Sequence, residues 1–328
     1  MIKYYLYKIL NKVLSGVVYT KYGKKIEKGV FEIFPKNFEF QNKIVFSFWD
    51  KNLMHLGDQL FHVPLIKNFI NRYEFYVCGE SSLNQYFENL GAEIFDYKDF
   101  NIKGAIFIGK DDMAYSFWKK FGKENLYIGI NYAVLQYEEK ITVSLLRILL
   151  NALKKFDENI DVDKELNNAD FSFPIFENKN LNEEERKILE NISKEDKKFL
   201  VFNNYVASDY IGTRKRISLL EKIAKEKKEE GYSIIHIGSE KDKISDKKIY
   251  NFVDYDFRGK LAPLTLFNLF NLSNVYGIIS FDTFPMHVAS IFKKDLYIVV
   301  RKEERKEIYR KKFIPCYPNG DDIVKIYL

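Results

Sequence analysis

The 328-residue sequence holds two cysteines, seven prolines, four histidines and two tryptophans. These scarcities close off several classes. Cys78 and Cys316 cannot build a disulfide scaffold or a zinc cluster, and their free use fits a reducing compartment. His55, His62, His236 and His287 are scattered without metal-ligand spacing. No apolar run reaches the roughly 18 residues of a membrane span. Lys8 and Lys12 interrupt the N-terminal apolar stretch, which argues against a secretory signal. No Gly-x-Gly-x-x-Gly follows a strand-like run, which weighs against a dehydrogenase, and Gly16 to Lys25 lacks P-loop spacing.

The charge is more informative than its sum. The net +6 equals the balance of residues 1–28, which carry seven lysines and one glutamate. The remainder is neutral overall, which argues against a nucleic-acid groove. On a helical wheel Lys8, Asn11, Lys12 and Ser15 share one face, and Ile2, Tyr5, Leu6, Ile9, Leu10, Val13 and Leu14 cover most of the rest. This arm reads either as a helix packed on the first domain or as a basic amphipathic helix on anionic lipid. The cluster from Arg301-Lys302 to Arg310-Lys-Lys312 adds positive charge to the same account.

From Lys43 onward, short apolar runs alternate with amphipathic stretches. Strands are predicted at 43–48, 74–77, 93–95, 105–108 and 127–130, and helices at 58–70 (perturbed by Pro64), 82–90, 112–121 and 141–156. Residues 157–191 hold eleven acidic and four basic residues and read as a solvated connector, helical near Asn182 to Ile192. The alternation restarts, with strands at 199–202, 233–237, 275–281 and 296–300 and helices at 215–229, 264–272 and 285–292. Strands that are apolar throughout and alternate with helices predict parallel sheets covered on both faces. The α/β chain therefore divides into two Rossmann-like domains, 1–165 and 166–328, with ligands expected at strand carboxyl ends and in the cleft that the domains face.

Four segments fall at such ends. Asp58, in His55-Leu-Gly-Asp58, reads as a helix cap or as a carboxylate able to take a proton from a hydroxyl. In Ser280-Phe-Asp-Thr-Phe-Pro-Met-His287, Pro285 marks a helix start. The N–H groups of Thr283, Phe284, Met286 and His287 there could meet a diphosphate, or simply open a capped helix. Gly212-Thr-Arg-Lys-Arg216 places Arg214, Lys215 and Arg216 before a helix, which an anion would relieve; a solvated charge cluster is the alternative. His236-Ile-Gly-Ser-Glu240 ends a strand in a Gly turn whose acid, Glu240, could hold ribose hydroxyls.

In this order the segments resemble the ADP-heptose:lipopolysaccharide heptosyltransferase family, which are inverting GT-B transferases. The matching stretches are Leu56-Gly-Asp-Gln-Leu-Phe-His-Val-Pro64, Gly259-Lys-Leu-Ala-Pro-Leu264 and Phe281-Asp-Thr-Phe-Pro-Met-His-Val-Ala289, within roughly residues 43–300. The resemblance implies that Asp58 is the general base and that Lys215, flanked by Arg214, meets the diphosphate. It implies that Glu240 holds the nucleotide or its sugar. Asp282 with Thr283 and Phe284 would bind donor sugar and phosphates, and His287 could touch phosphate or pack on its helix. It further implies a nucleotide-sugar donor, a lipid-linked or saccharide acceptor of a cell-surface glycan, no metal or other cofactor, and a cytoplasmic enzyme, which the lipid-bound reading of the arm at residues 1–28 would make peripheral to the inner membrane. Phe284 stands where the family has Gly, so the donor pocket departs from the pattern. That departure keeps open a non-catalytic sugar-nucleotide or glycan-binding protein; a GT-B-like nucleotide-sugar epimerase is a third reading.

Asp254-Tyr-Asp256 matches the Asp-x-Asp of metal-dependent transferases, but Asp161-Val-Asp163 fits as well; the former reads as a loop beside the nucleotide. His236 is expected as core or cleft lining. Trp49 and Trp118 are expected as packing residues.

Overall fold

A computed structural model describes residues 2–48, 54–79, 81–98, 101–135, 139–205, 210–300, 307–318 and 320–327; side chains at 2–5, 133, 210–215 and 245 lie outside that description. Trp49 and the Arg301-Lys302 pair are thus outside the described residues. The chain packs as two units, Met1–Phe171 and Ser172–Leu328.

The first unit opens with α1 (Ile2–Tyr22) and a hairpin of β1 (Gly23–Glu27) and β2 (Val30–Ile33). Then come β3 (Lys43–Ser47), α2 (Leu56–Leu60), α3 (Val63–Phe69), β4 (Glu74–Cys78), α4 (Asn84–Asn89), β5 (Glu93–Phe95) and β6 (Ala105–Lys110). A 3-10 turn (Asp111–Met113) leads to α5 (Ala114–Phe121), β7 (Leu126–Ile130), α6 (Ile141–Leu153) and α7 (Val162–Asn168). The sheet order is β1-β2-β7-β6-β3-β4-β5. From β7 to β5 every pairing is parallel, while β2 meets β7 antiparallel. Taken alone, β3 to β7 have the order 3-2-1-4-5, the Rossmann arrangement, with its switch point between β3 and β6. The helix α1 and the β1–β2 hairpin are an addition at the β7 edge. Ile44, Val45 and Phe46 of β3 and Ala105, Ile106 and Phe107 of β6 are fully buried, as both-face coverage requires.

The second unit contains α8 (Glu183–Lys194), β8 (Phe199–Asn203), α9 (Tyr210–Glu229), β9 (Ser233–His236), α10 (Glu240–Ser245) and β10 (Tyr255–Asp256). It continues through α11 (Thr265–Asn271), β11 (Val275–Ser280), α12 (Phe284–Ile291), β12 (Asp295–Val299), α13 (Glu307–Phe313) and β13 (Val324–Tyr327). Its sheet, β10-β9-β8-β11-β12-β13, is parallel throughout and has the order 3-2-1-4-5-6, with the switch point between β8 and β11.

Several expectations are corrected. The helix predicted over 58–70 is two helices, because Pro64 is accepted only in the first turn of α3 and the chain bends at Phe61–His62. The acidic stretch 157–191 carries the expected helix, α8, capped by Asn182, whose side chain accepts from Glu185 N at 2.9 Å, and also an unexpected one, α7, capped by Asp161. Asp254 and Asp256 flank and end the edge strand β10 rather than a loop. Asp254 pairs with Lys228 at 2.6 Å, and Asp256 with Arg258 at 2.7 Å. The helix α9 starts at Tyr210, so Arg214, Lys215 and Arg216 sit on its first two turns and not before them.

The arm is a helix, but its polar face is the inner one. Asn11, Ser15 and Val18 are buried. The Tyr19 ring tilts against Phe31, and Trp118 stacks on Tyr22 with ring centroids 4.0 Å apart. Gly129 on β7 makes room for this, since a Cβ there would collide with the Tyr19 hydroxyl.

Candidate active site

Two clusters stand at the carboxyl ends of the two sheets. In the first unit, Asp58 lies on the first turn of α2, at the third helical position. His55, not Asp58, is the cap residue, and its N–H donates to Asp58 Oδ2 at 3.3 Å. The same oxygen receives the ammonium of Lys110, the last residue of β6, and the two side chains are 21% and 20% exposed. Burial alone would raise the Asp58 carboxyl; the Lys110 cation, then His55, outweigh it and hold it below the usual carboxylate range. The pair thus straddles the switch point, with an ionised carboxylate still reachable from water.

The turn that carries Lys110 is pinned by its backbone. Three successive carbonyls each accept a hydroxyl hydrogen bond: Lys110 from Tyr127 at 2.6 Å, Asp111 from Tyr19 at 3.0 Å, and Asp112 from Ser15 at 3.0 Å. The Asn131 amide donates to Asp111 Oδ2 at 3.0 Å. Burial first, then the neighbouring Asp111, pushes the Asp112 carboxyl up to about 6. Behind Asp58, His62 is fully buried and its Nδ1 lies 3.1 Å from the Asp58 carbonyl and 3.3 Å from that of Gln59. Both partners are acceptors, so Nδ1 carries the proton; burial pushes the imidazole down to about 4 and keeps it neutral.

In the second unit, β11 hands over to α12 through Phe281-Asp282-Thr283. Thr283 is extended and precedes the helix, with Pro285 in its first turn. The His287 N–H is already bonded to the Thr283 carbonyl at 3.2 Å and is not free for an anion, contrary to expectation. Asp282 is engaged at both oxygens. Oδ1 lies 3.2 Å from His287 Nε2, and Oδ2 accepts from the Tyr309 hydroxyl at 3.0 Å. Burial opposes charge on His287, but the hydrogen bonds to Asp282 and to Cys316 win and push its pKa up to about 10. His287 is therefore a buried imidazolium at neutral pH. Phe284 is the first residue of α12 and half-buried.

Glu240 begins α10 after Ser239, whose backbone N–H is capped by Asp242. The Glu240 carboxylate rests against Gly259, which has φ +76° and whose N–H donates to Gly238 O at 2.8 Å. That left-handed backbone favours glycine, and a Cβ there would push the Glu240 carboxylate aside. Gly259→Ala is expected to cost about 1–3 kcal/mol and to displace Glu240. Urea denaturation checks this, and an unchanged midpoint would contradict it.

His236 ends β9 and is buried, its Nε2 3.1 Å from Asn204 Oδ1; burial, then Arg258, pushes it down to about 4. Asn204, Asp246 and Tyr250 form one network beyond β8, with Asn204 Nδ2 2.9 Å from the Tyr250 hydroxyl. Arg216 reaches the carboxyl end of β12, donating to Val300 O at 2.6 Å, so it holds backbone. The side chains of Arg214 and Lys215 lie outside the described residues.

The structure thus brings Asp282 and His287 into one pair and sets Glu240 against Gly259. The sequence reading missed Lys110, Asp111 and Asp112. Three successive charges closing a buried strand and following it were the available signal. It also missed Tyr309, for which no signal existed.

No family model matches the sequence, and no curated protein matches it. Solved structures do. E. coli ADP-heptose lipopolysaccharide heptosyltransferase II superposes with TM-score 0.54 at 12% identity, over 87% of this chain and 90% of that one. A glycosyl transferase family 9 structure from Veillonella parvula gives TM-score 0.51 at 16% identity, over 80% of this chain and 83% of that one. The motif resemblance therefore has its counterpart in three dimensions: two successive Rossmann-like units make the fold GT-B, as in heptosyltransferases.

Proposed function

We propose that the chain is an inverting glycosyltransferase that moves a heptose or related sugar from a nucleoside-diphosphate sugar to a saccharide or lipid-linked acceptor. The acceptor belongs to a lipopolysaccharide, capsule or other cell-surface glycan, and the reaction takes place in the cytoplasm, in keeping with Cys78 and Cys316 not being joined in a disulfide. The observation that carries the reading is Asp58, a carboxylate held ionised at the switch point of a Rossmann-ordered sheet. The GT-B fold supports it.

In the proposed reaction the first unit binds the acceptor. Asp58 takes the acceptor hydroxyl proton as that oxygen attacks the sugar's anomeric carbon. The bond from that carbon to the diphosphate breaks, and its electron pair leaves on the phosphate oxygen. Arg214 and Lys215 on α9, with the Thr283 and Phe284 N–H groups at the α12 N-terminus, meet that charge, so protein groups serve where other transferases use a metal ion. Glu240 holds the nucleotide or its sugar.

The Lys110 pair sets a pH dependence. In Lys110→Met the cation that lowers the Asp58 pKa is gone, so the acid limb of kcat/KM is expected to move to higher pH. A pH–rate profile checks this; an unmoved limb would remove Asp58 from the titrating step.

One observation favours a second reading, a binding-only scaffold: both oxygens of Asp282 are already occupied by protein partners. A panel of ADP-, UDP-, GDP- and CDP-sugars, with and without saccharide acceptor, separates the readings. Transfer predicts stabilisation by one of them and nucleoside diphosphate release that requires acceptor. Isomerised donor without acceptor would identify an epimerase, and no response to any donor would overturn the proposal.

A further inference from the structure

Among the described residues nothing covers the outer face of α1. Leu6, Ile9, Leu10, Val13 and Val17 are each 57–59% exposed, and their spacing sets them on one stripe of the helix. The opposite face is committed to the first unit through Asn11, Ser15 and Val18. The helix thus buries its polar face and turns five aliphatic side chains to water, the kind of exposed apolar stripe that marks an interaction site. None of its length qualifies it to cross a bilayer.

We infer that α1 and the β1–β2 hairpin dock the protein on an anionic lipid surface, with α1 lying in the interface plane. Charge complementarity selects the occupant. Lys12 lies toward one flank of the stripe and Lys21 toward the other, both exposed, and Lys24, Lys25 and Lys28 follow on the hairpin, also exposed. Ile26, between them, is 44% exposed. Glu27 is the single acid in residues 1–28. Aliphatic side chains enter the headgroup region while the flanking ammonium groups meet lipid phosphates, and each basic residue near an anionic leaflet strengthens binding roughly fivefold. A second copy of the chain is the poorer partner, because a two-fold contact through α1 would bring both sets of seven lysines together.

The inner face of the same helix holds the Lys110 turn through Ser15 and Tyr19. Docking therefore sets the Asp58–Lys110 end of the first sheet beside a surface from which a lipid-linked acceptor is presented. The docking inference rests on the α1 surface and stands whether or not the chain transfers sugar.

The test is co-sedimentation of the full chain with vesicles of phosphatidylcholine alone and with phosphatidylglycerol added at about three parts in ten, a content typical of anionic leaflets. Binding to the anionic vesicles only, weakened by salt, is the expected result. The double variant L10D/V13D is expected to bind about tenfold less or worse, with an unchanged melting temperature because both sites are exposed. K24E/K25E is expected to weaken binding without touching the apolar stripe. A chain that stays in the supernatant with anionic vesicles, or a double variant that binds as well as the parent, would overturn the inference. So would a dimer in size-exclusion chromatography that L10D/V13D dissociates while neither protein binds vesicles.

Discussion

Asp58→Ala is expected to lower the transfer rate by about 10²–10⁴-fold while donor affinity, read by calorimetry, stays the same. The argument rests on where the residue stands. Asp58 is on the first turn of a five-residue helix, and its carboxylate bonds one backbone N–H and the Lys110 ammonium. Its removal costs a cap interaction of about 1 kcal/mol, so the variant should fold. It leaves Lys110 without its carboxylate, but that ammonium is a fifth exposed and can be hydrated. The groups proposed to meet the donor all lie in the other unit, so donor affinity and transfer should separate. Full activity in the variant would remove Asp58 as base. Loss of donor binding together with loss of transfer would instead indicate a structural role.

The second large effect is on stability. His287→Ala is expected to cost about 3–5 kcal/mol, the usual penalty for stranding one partner of a buried pair. His287 and Asp282 are 5% and 10% exposed in their side chains, and among the described residues only the Tyr309 hydroxyl would remain on Asp282. The pH dependence has a definite sign. The His287 pKa is raised in the folded state to about 10, against about 6.5 in the unfolded chain. Its contribution is therefore complete below about pH 6.5 and is lost as pH rises through 10. Urea denaturation of parent and His287→Ala between pH 6 and 10 should show two curves that converge toward the alkaline end. The double variant D282N/H287Q should recover part of the loss, because it removes both charges at once. Parallel curves, or a cost below about 1 kcal/mol, would mean that the pair is not ionised.

Much of the architecture was legible because its strands are fully buried. Ile44-Val-Phe46 and Leu200-Val-Phe202 are apolar without alternation, the pattern that parallel sheets impose. Three of the strands that were missed lack that signature. Gly23-Lys-Lys-Ile-Glu27 is a charged edge strand, β10 has two residues, and β13 pairs on one side only. In the site, Asp58 could be found from its place after a strand and its motif, but Lys110 could not. Its nearness to Asp58 exists only because the 3-2-1-4-5 order sets β6 beside β3. Tyr309 reaches Asp282 from α13 by the same kind of long-range closure. The arm shows a different limit. Its wheel correctly separates a polar from an apolar face, but packing chose the polar one, and Ser15 and Tyr19 there donate their hydroxyls to the Asp112 and Asp111 carbonyls.

The central claim is a single displacement assisted by one base. The most direct test is the anomeric configuration of the product, read by proton NMR from the coupling at the transferred sugar's anomeric carbon, once the panel has identified a donor and acceptor. The account predicts a configuration opposite to that of the donor. Retained configuration would contradict it, since retention by two displacements needs a nucleophile on the sugar's far face, which one carboxylate paired with Lys110 does not supply.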